Sequence, residues 1–338
     1  MANARKELSD FIETTADKVY FIENEERPYQ PKYRELFRSV NIPGREIMIS
    51  SATHNINFQK RIDGEPLVYT DPTSGRRVFG KKELYTAGTK IPDRFTNGLD
   101  VRRPSDELKN YIRDWTQAAI NRYHLDLETF AFDHFNKGGL TAGDPIFDGT
   151  NDVQEDKNGG LLYDGSPLFN LAASPRTLLK KPPHLSTNAF NNGLGSTGQN
   201  LTSENFETAY QKLTMDNAYN DAGEKTMRLP THLVVPPSLR SDAFQILKTS
   251  VGLPGDVNNG ANPNFEIVDM ALSPFLDDAD AWFLYAADGS WEIFDQEQPR
   301  FKSWINNDTD CYHLRMEVAY GSLIKAWQNV VGANFATS

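Results

Sequence analysis

The chain has 338 residues, 38% hydrophobic and 11% aromatic, which is enough to bury one large core or two smaller ones and excludes a disordered protein. Its 46 Asp and Glu against 35 Lys and Arg give a net charge of -11, which counts against a protein that grips nucleic acid over its whole surface, since phosphate binding relies on clustered cations. One cysteine, Cys311, excludes an intrachain disulfide, no stretch has the roughly 18 consecutive apolar residues of a membrane helix, and the mixed-charge start has no secretory core, so a soluble protein made in a reducing cytoplasm is expected.

Leu8, Phe11, Ile12, Thr15, Val19 and Ile22 recur at intervals of three and four, which predicts an amphipathic N-terminal helix. Arg27, Pro28, Tyr29, Gln30 and Pro31 follow. Two prolines impose an extended path, so this helix is expected on an arm, residues 1–45, rather than packed back locally. Its stripe, with Phe11, Ile12 and Val19, then needs a surface elsewhere on the subunit or on a neighbour. Residues 46–100 hold short alternating runs, such as Ile56, Phe58 and Ile62, broken by Asp63 to Pro66 and Asp71 to Gly75. They predict an extended β-hairpin with a basic tip, Arg76, Arg77, Lys81 and Lys82. Ile56, Phe58, Val68, Val78 and Leu84 are too sparse to give it a core of its own, so contact with a neighbouring copy is expected to order it.

The longest predicted helix runs from Ser105 to about Lys137, with Ser105 as N-cap, Asp106 and Glu107 at the positive end of the dipole and Gly138–Gly139 as the stop. Leu108, Tyr111, Ile112, Trp115, Ala119, Tyr123, Leu127, Phe130 and Ala131 form its apolar stripe. Residues 140–201, rich in Gly, Asn, Pro and Ser, read as loops with a short strand at Leu161–Tyr163. A helix at Ser203–Asn217, a buried strand at Thr231–Val235, and a helix at Ser238–Thr249 entered through Pro236 and Pro237 come next. Strands are then expected at Phe265–Leu272, Ala281–Ala287 and Trp291–Asp295, and in the alternation of Leu314, Met316, Val318 and Tyr320 with Arg315, Glu317 and Ala319.

Nothing in this order assembles a catalytic constellation. Gly193, Gly195 and Gly198 have dinucleotide-loop spacing, but a polar loop precedes them where a buried strand is required. The run Asp148–Gly160 suggests a calcium loop at Asp156, Asn158 and Gly159, yet that register puts Gln154 at the first ligand and Gly165 where a bidentate Glu belongs. His124 and His134 are ten positions apart on one helix, too far to share a zinc ion. Asp277, Asp278 and Asp280 read as a solvated loop and Cys311 as a small buried hydrophobe. No catalytic residue, metal or cofactor is therefore expected.

Tyr163 to Phe169, Asn188, Leu201–Thr202 opening a helix, Asp221 to Lys225, and above all Leu229 to Leu239 with its Pro-Thr-His-Leu-Val-Val-Pro run, together resemble the Mu-type major head subunit family of tailed bacteriophages over residues 163–272. The N-terminal half resembles HK-97-type capsid proteins in its order of arm, hairpin and long helix. The resemblance implies an α+β HK-97-type capsid fold: arm at 1–45, extended hairpin or E-loop at 46–100, spine helix and peripheral domain at 101–219, axial domain at about 220–310, and a return strand to the peripheral domain at 311–338. It implies a major capsid protein, assembled in host cytoplasm and resident in the virion, that forms hexamers and pentamers around double-stranded DNA. Scaffold, portal and decoration proteins are the further implied partners, with weak contact to DNA and none to membrane. Phe11, Ile12, Val19, Phe58, Arg76, Arg77, Lys81 and Lys82 are the candidate inter-subunit contacts. An encapsulin-like nanocompartment shell protein and a soluble enzyme are the alternatives, the second separable by particle size.

Overall fold

The computed structural model describes residues 2–26, 29–53, 73–91, 105–140, 162, 164–250, 262–306 and 311–337. In chain order these form α1 (Ala2–Glu26), β1 (Arg38–Ser39), β2 (Glu46–Thr53), β3 (Thr73–Ile91), α2 (Asp106–Asn136), α3 (Ser203–Gln211), β4 (His232–Val235), α4 (Arg240–Lys248), β5 (Asp269–Leu272), β6 (Trp282–Tyr285), β7 (Trp291–Ile293), β8 (Arg300–Asn306), β9 (Cys311–Ile324) and β10 (Val330–Ala333). The first sheet has the order β1-β7-β9-β3-β2, with β8 also paired to β9; the second has the order β10-β6-β4-β5. The fold is α+β.

The strand β9 organises the first sheet. Its Tyr312–Ser322 stretch pairs antiparallel with β3, while its other edge serves β8 through Cys311–Glu317 and β7 through Ser322–Ile324. Alternation turns Leu314, Met316 and Tyr320 to one face, where they are buried. That face packs on α2, with Tyr320 meeting the rings of Tyr123 and Phe130. Gly321 is needed where it stands opposite Lys82 of β3, because a Cβ there would land on the carbonyl oxygen of Lys81.

The long helix forms as expected: Ser105 accepts from the Leu108 N–H, and acidic residues fill the first turn. Its 31 residues span about 46 Å at ~1.5 Å each. Leu108, Ile112, Ile120, Tyr123, Leu127, Ala131 and Phe135 make the buried stripe, flanked by half-buried Tyr111, Trp115, Ala119 and Phe130. Phe135 continues this stripe into a cluster with Phe37, Phe283, Tyr285 and Trp291.

The second sheet is buried on both faces, which is why its strands read as unbroken apolar runs. Leu233, Val235, Trp282, Leu284, Val331 and Ala333 pack with Phe206, Ala209 and Leu213 of the α3 region and Ala243 and Leu247 of α4. Val234, Phe283, Tyr285 and Val330 face the opposite way and join the core around α2. The two lobes thus share this sheet. The helix expected at Ser203–Asn217 is α3 continued by a π-helical turn, Lys212–Asp216. Only Asp269–Leu272 of the expected 265–272 strand is paired. Leu162 closes a turn with Ser166 and Gly165, and the other two residues of the strand expected at 161–163 lie outside the described residues. The expected divisions also cut across the sheets: α3, from 101–219, packs on the second sheet; β7 and β8, from 220–310, lie in the first; and 311–338 supplies β9 to the first and β10 to the second.

The N-terminal helix finds the surface its stripe requires elsewhere on its own subunit, against α2 and β8, both far from it in the chain. Leu8, Ile12 and Ala16 form its buried line, while Phe21 and Ile22 are exposed. The cause lies in β8, an edge strand with unpaired backbone. Ser9 Oγ donates to the Ser303 carbonyl at 2.7 Å and the Ser303 N–H donates to Glu13 Oε1 at 2.6 Å, so α1 caps that edge.

His134 joins α2 to β9 in full burial. Its Nδ1–H faces the Phe130 and Ala131 carbonyls at 3.0 and 3.1 Å, which fixes the neutral tautomer and leaves Nε2 to accept from Ser322 Oγ at 2.8 Å. Burial lowers its pKa to about 4. An unfolded chain protonates this imidazole near pH 6.5 and the folded chain resists until about 4, so stability falls as pH drops through that window, by about 3 kcal/mol at most. Urea midpoints from pH 7.5 to 4.5 should therefore fall more steeply for the native chain than for His134→Gln; parallel curves would remove His134 from the acid response.

Candidate functional site

Two extended features make up the candidate site: the strap at residues 29–39 that follows α1, and the β2–β3 hairpin. The strap is held by two carboxylates. Glu128, buried on α2, accepts from Tyr29 Oη and from the Lys32 N–H through Oε1, both at 2.6 Å, and from the Tyr33 N–H through Oε2 at 3.3 Å. Tyr29 also stacks on His124, with ring centroids 4.0 Å apart and planes 7° from parallel. Asp295, buried just after β7, accepts from Tyr33 Oη at 2.5 Å, from Arg34 at 3.0 Å and from Ser39 Oγ. Burial and the Asp295 charge push the Tyr33 hydroxyl well above its ordinary pKa, and burial with the Glu128 hydrogen bond does the same for Tyr29, so both remain proton donors. Burial and the nearby Arg34 lower His124 to about 4, which keeps the stacked imidazole neutral.

The hairpin is anchored at its base. From Lys81 to Ile91 β3 is paired to β9, whereas from Thr73 to Gly80 its only partner among the described residues is β2, up to the opposed residues Thr53 and Thr73. The outer part is thus a two-stranded ribbon leaving a six-stranded sheet. Val78, Ile42, Phe294 and Leu323 close a small apolar cluster at its root.

Lys81 and Lys82 are not at the tip. Both sit at this root, where Lys82 is 7% exposed and donates to the Ile42 carbonyl at 3.0 Å and to Glu297 Oε2 at 2.9 Å. Lys81 pairs with Glu83 at 2.5 Å. Each cation meets a carboxylate of its own chain, Lys81 one two residues further along β3 and Lys82 one 215 residues away. Ile12 is wholly buried within the subunit, and Phe11 and Val19 are half-buried on α1. Arg77 lies on β3 opposite Ser50, and the side chains of Arg76 and Arg77, like the whole of Phe58, fall outside the described residues.

The other motifs resolve structurally. Gly193 pairs with Gly332 at the edge of the second sheet, and a Cβ there would lie 2.6 Å from the Phe335 ring; no helix opens from the loop. The run 148–160 lies outside the described residues, apart from which no group of three metal-type ligands is found among those described. Asp277 and Asp280 are turn residues whose backbone N–H groups donate to Asn136 and Asp278. Cys311 is a buried strand residue. No described helix is long and apolar enough to cross a membrane. Glu128 and Asp295 escaped the sequence reading; the signal for Glu128 was a carboxylate set four residues after His124 and before Phe132 on the buried side of α2.

A shell subunit is what these parts define: a sheet backed by a spine helix, with a ribbon extending from the body and a strap pinned along it. Among solved structures, the capsid of an empty GTA particle is 9% identical, covering 91% of this chain and 92% of that one with a TM-score of 0.50. A chain from Mycobacterium phage Che8 is 13% identical, with 88% and 86% covered and a TM-score of 0.46. The capsid chain of Myoviridae phage XM1 is 11% identical, with 89% and 90% covered and a TM-score of 0.46. The fold is the HK-97-type capsid fold. No curated protein matches the sequence. A family profile described as phage capsid protein matches residues 102–332, and the chain belongs to the phage capsid protein family, without resolution to the Mu-type subgroup. Its role is structural rather than enzymatic, and its place is the virion shell.

Replacing Glu128 by Ala would leave the Lys32 and Tyr33 N–H groups and the Tyr29 hydroxyl without their acceptor, a loss of about 1–3 kcal/mol. The expected result is a lower urea midpoint together with faster tryptic cleavage after Lys32 and Arg34. A lower midpoint with unchanged cleavage would mean that Glu128 stabilises α2 without holding the strap.

Proposed function

We propose that this chain is the major head protein of a tailed phage, whose copies form hexamers and pentamers of a closed shell around double-stranded DNA. The observation that carries this is the cantilevered ribbon at Thr73–Gly80, bonded to β2 alone beyond the body of the sheet. Two-stranded ribbons are marginal in water, so one of this kind is ordered by what it lies on, and in a shell of identical subunits that is the neighbouring copy. The first sheet with α1 and α2 serves as the peripheral domain. The second sheet with α3 and α4 serves as the axial domain around the capsomer centres. Phe58, Arg76 and Arg77 remain the hairpin's contact residues in this reading, with Phe11 and Val19 on α1; Lys81 and Lys82 act instead as its root, and Ile12 as core. Assembly takes place in host cytoplasm with a separate scaffold and a portal, decoration proteins add to the outside, and contact with the packaged DNA is weak.

The register gives a clean test. Thr53 and Thr73 are directly opposed, so residues 54–72 can be replaced by an Asn-Gly turn that closes the hairpin. This variant should keep its helical circular dichroism and remain soluble, yet form no closed particles in negative stain. Particles of normal diameter from the shortened chain, and again from one that also carries Arg76→Glu and Arg77→Glu, would show that the hairpin does not carry the assembly contact.

A further inference from the structure

Among the described residues, helices cover one face of the first sheet and not the other. Phe301, Ser303, Leu314, Met316 and Tyr320 turn toward α1 and α2. The register puts the intervening side chains on the other side in rows across β3, β9 and β8: Leu84 with Ala319; Thr86, Glu317 and Arg300; Gly88, Arg315 and Lys302; Lys90, His313 and Trp304. No described helix covers them. Leu84 is 57% exposed and Trp304 41% exposed.

Trp304 is the one exposed tryptophan. Trp282, Trp291 and Trp327 are buried and Trp115 is half-buried. Its ring is held flat against the sheet, stacked on His313 at 5.3 Å and 13°, with the Arg315 guanidinium 5.4 Å from the ring centroid. A large side chain fixed in this way loses little conformational entropy when something covers it, and Trp and Arg dominate the energetics of protein–protein contacts. The array is also cationic. Arg300, Lys302, Arg315 and Lys90 face Glu317, which Lys302 reaches at 2.9 Å while Arg315 pairs with the same carboxylate; Arg300 reaches Glu297 at the margin. Residues 307–310, with Asp308 and Asp310, lie outside the described residues.

We propose that this open face is a contact surface for a second copy of the chain. The proposal rests on the shell reading and names a surface that the reading leaves free. Charge selects the occupant: a cationic, tryptophan-centred face on a chain of net charge -11 is complementary to the acidic exterior of its own copies. Size sets the strength. Three strands ~4.8 Å apart and four rows ~6.8 Å apart cover roughly 300 Å², well below the ~800 Å² per partner of a stable pair. The face is therefore open in the free subunit and covered only when the shell adds its other contacts.

Hydroxyl-radical footprinting read by mass spectrometry tests this on the unaltered chain. Trp304 oxidation should fall several-fold between free subunits and purified particles, and equally in particles emptied of DNA. A photo-cross-linking residue at Lys302 should join peptides of this same chain in those particles. Lys302→Glu with Arg315→Glu should slow particle formation while circular dichroism is unchanged. Particles in which Trp304 is oxidised as fast as in free subunits would overturn the proposal and leave the shell reading standing. Protection that vanishes in DNA-free particles, or cross-links to a different protein, would overturn it in favour of that other occupant. Failure to form particles at all from the native chain would instead count against the shell reading.

Discussion

The hydrogen bonding of β9 on both of its edges is the constraint from which the rest follows. One strand of 14 residues gives β3 an anchor for its inner half, gives β7 and β8 their place, and presents alternate side chains to α2. Because β3 is longer than the stretch of β9 available to it, its outer half leaves the sheet with only β2 as partner. The projecting ribbon is thus a consequence of unequal strand lengths. It is fixed to the body at its root, where Val78, Phe294 and Leu323 are packed and Lys82 is buried against Glu297.

Charge is used differently inside and outside this subunit. Glu128 and Asp295 are buried and saturated with donors from one short strap, so each serves as a nail for residues far from it in sequence. Arg176 is held likewise, wholly buried, 3.2 Å from Asp164 with its guanidinium 4.6 Å from the Trp327 ring centroid. Removing one partner of such a buried pair strands the other, which is why these groups specify a geometry even where their net stabilisation is small. The exposed pairs, such as Arg122 with Asp126 along α2, contribute little each and serve solubility.

A structural protein of this kind has no single pocket whose chemistry announces its role. Its function lies in extended elements and in faces left uncovered, and the two are linked. The helices α1 and α2 occupy the same side of the first sheet, α1 because it caps the edge of β8, and that leaves the opposite side with no described helix on it. Covering one face to protect a strand edge therefore creates the other as a candidate interface.

The sequence by itself determined the elements whose signal is local and periodic. The span of α2 with its Ser105 cap, the alternation along Leu314–Tyr320, the passage from Thr231–Val235 through Pro236 and Pro237 into α4, and the resemblance carried by Leu229 to Leu239 are all legible because each depends on neighbours within a few residues. Where the reading went astray, long-range pairing decided. Lys82 became a buried root rather than a tip because its carboxylate lies 215 residues away, and Glu128 became an anchor because the strap it holds is 96 residues upstream at Lys32. The stripe of α1 shifted toward Leu8, Ile12 and Ala16 because β8, nearly 300 residues on, chose which face it would bury. Periodicity says that a side is apolar or that a group is charged; only the closed chain says what that side or that charge meets.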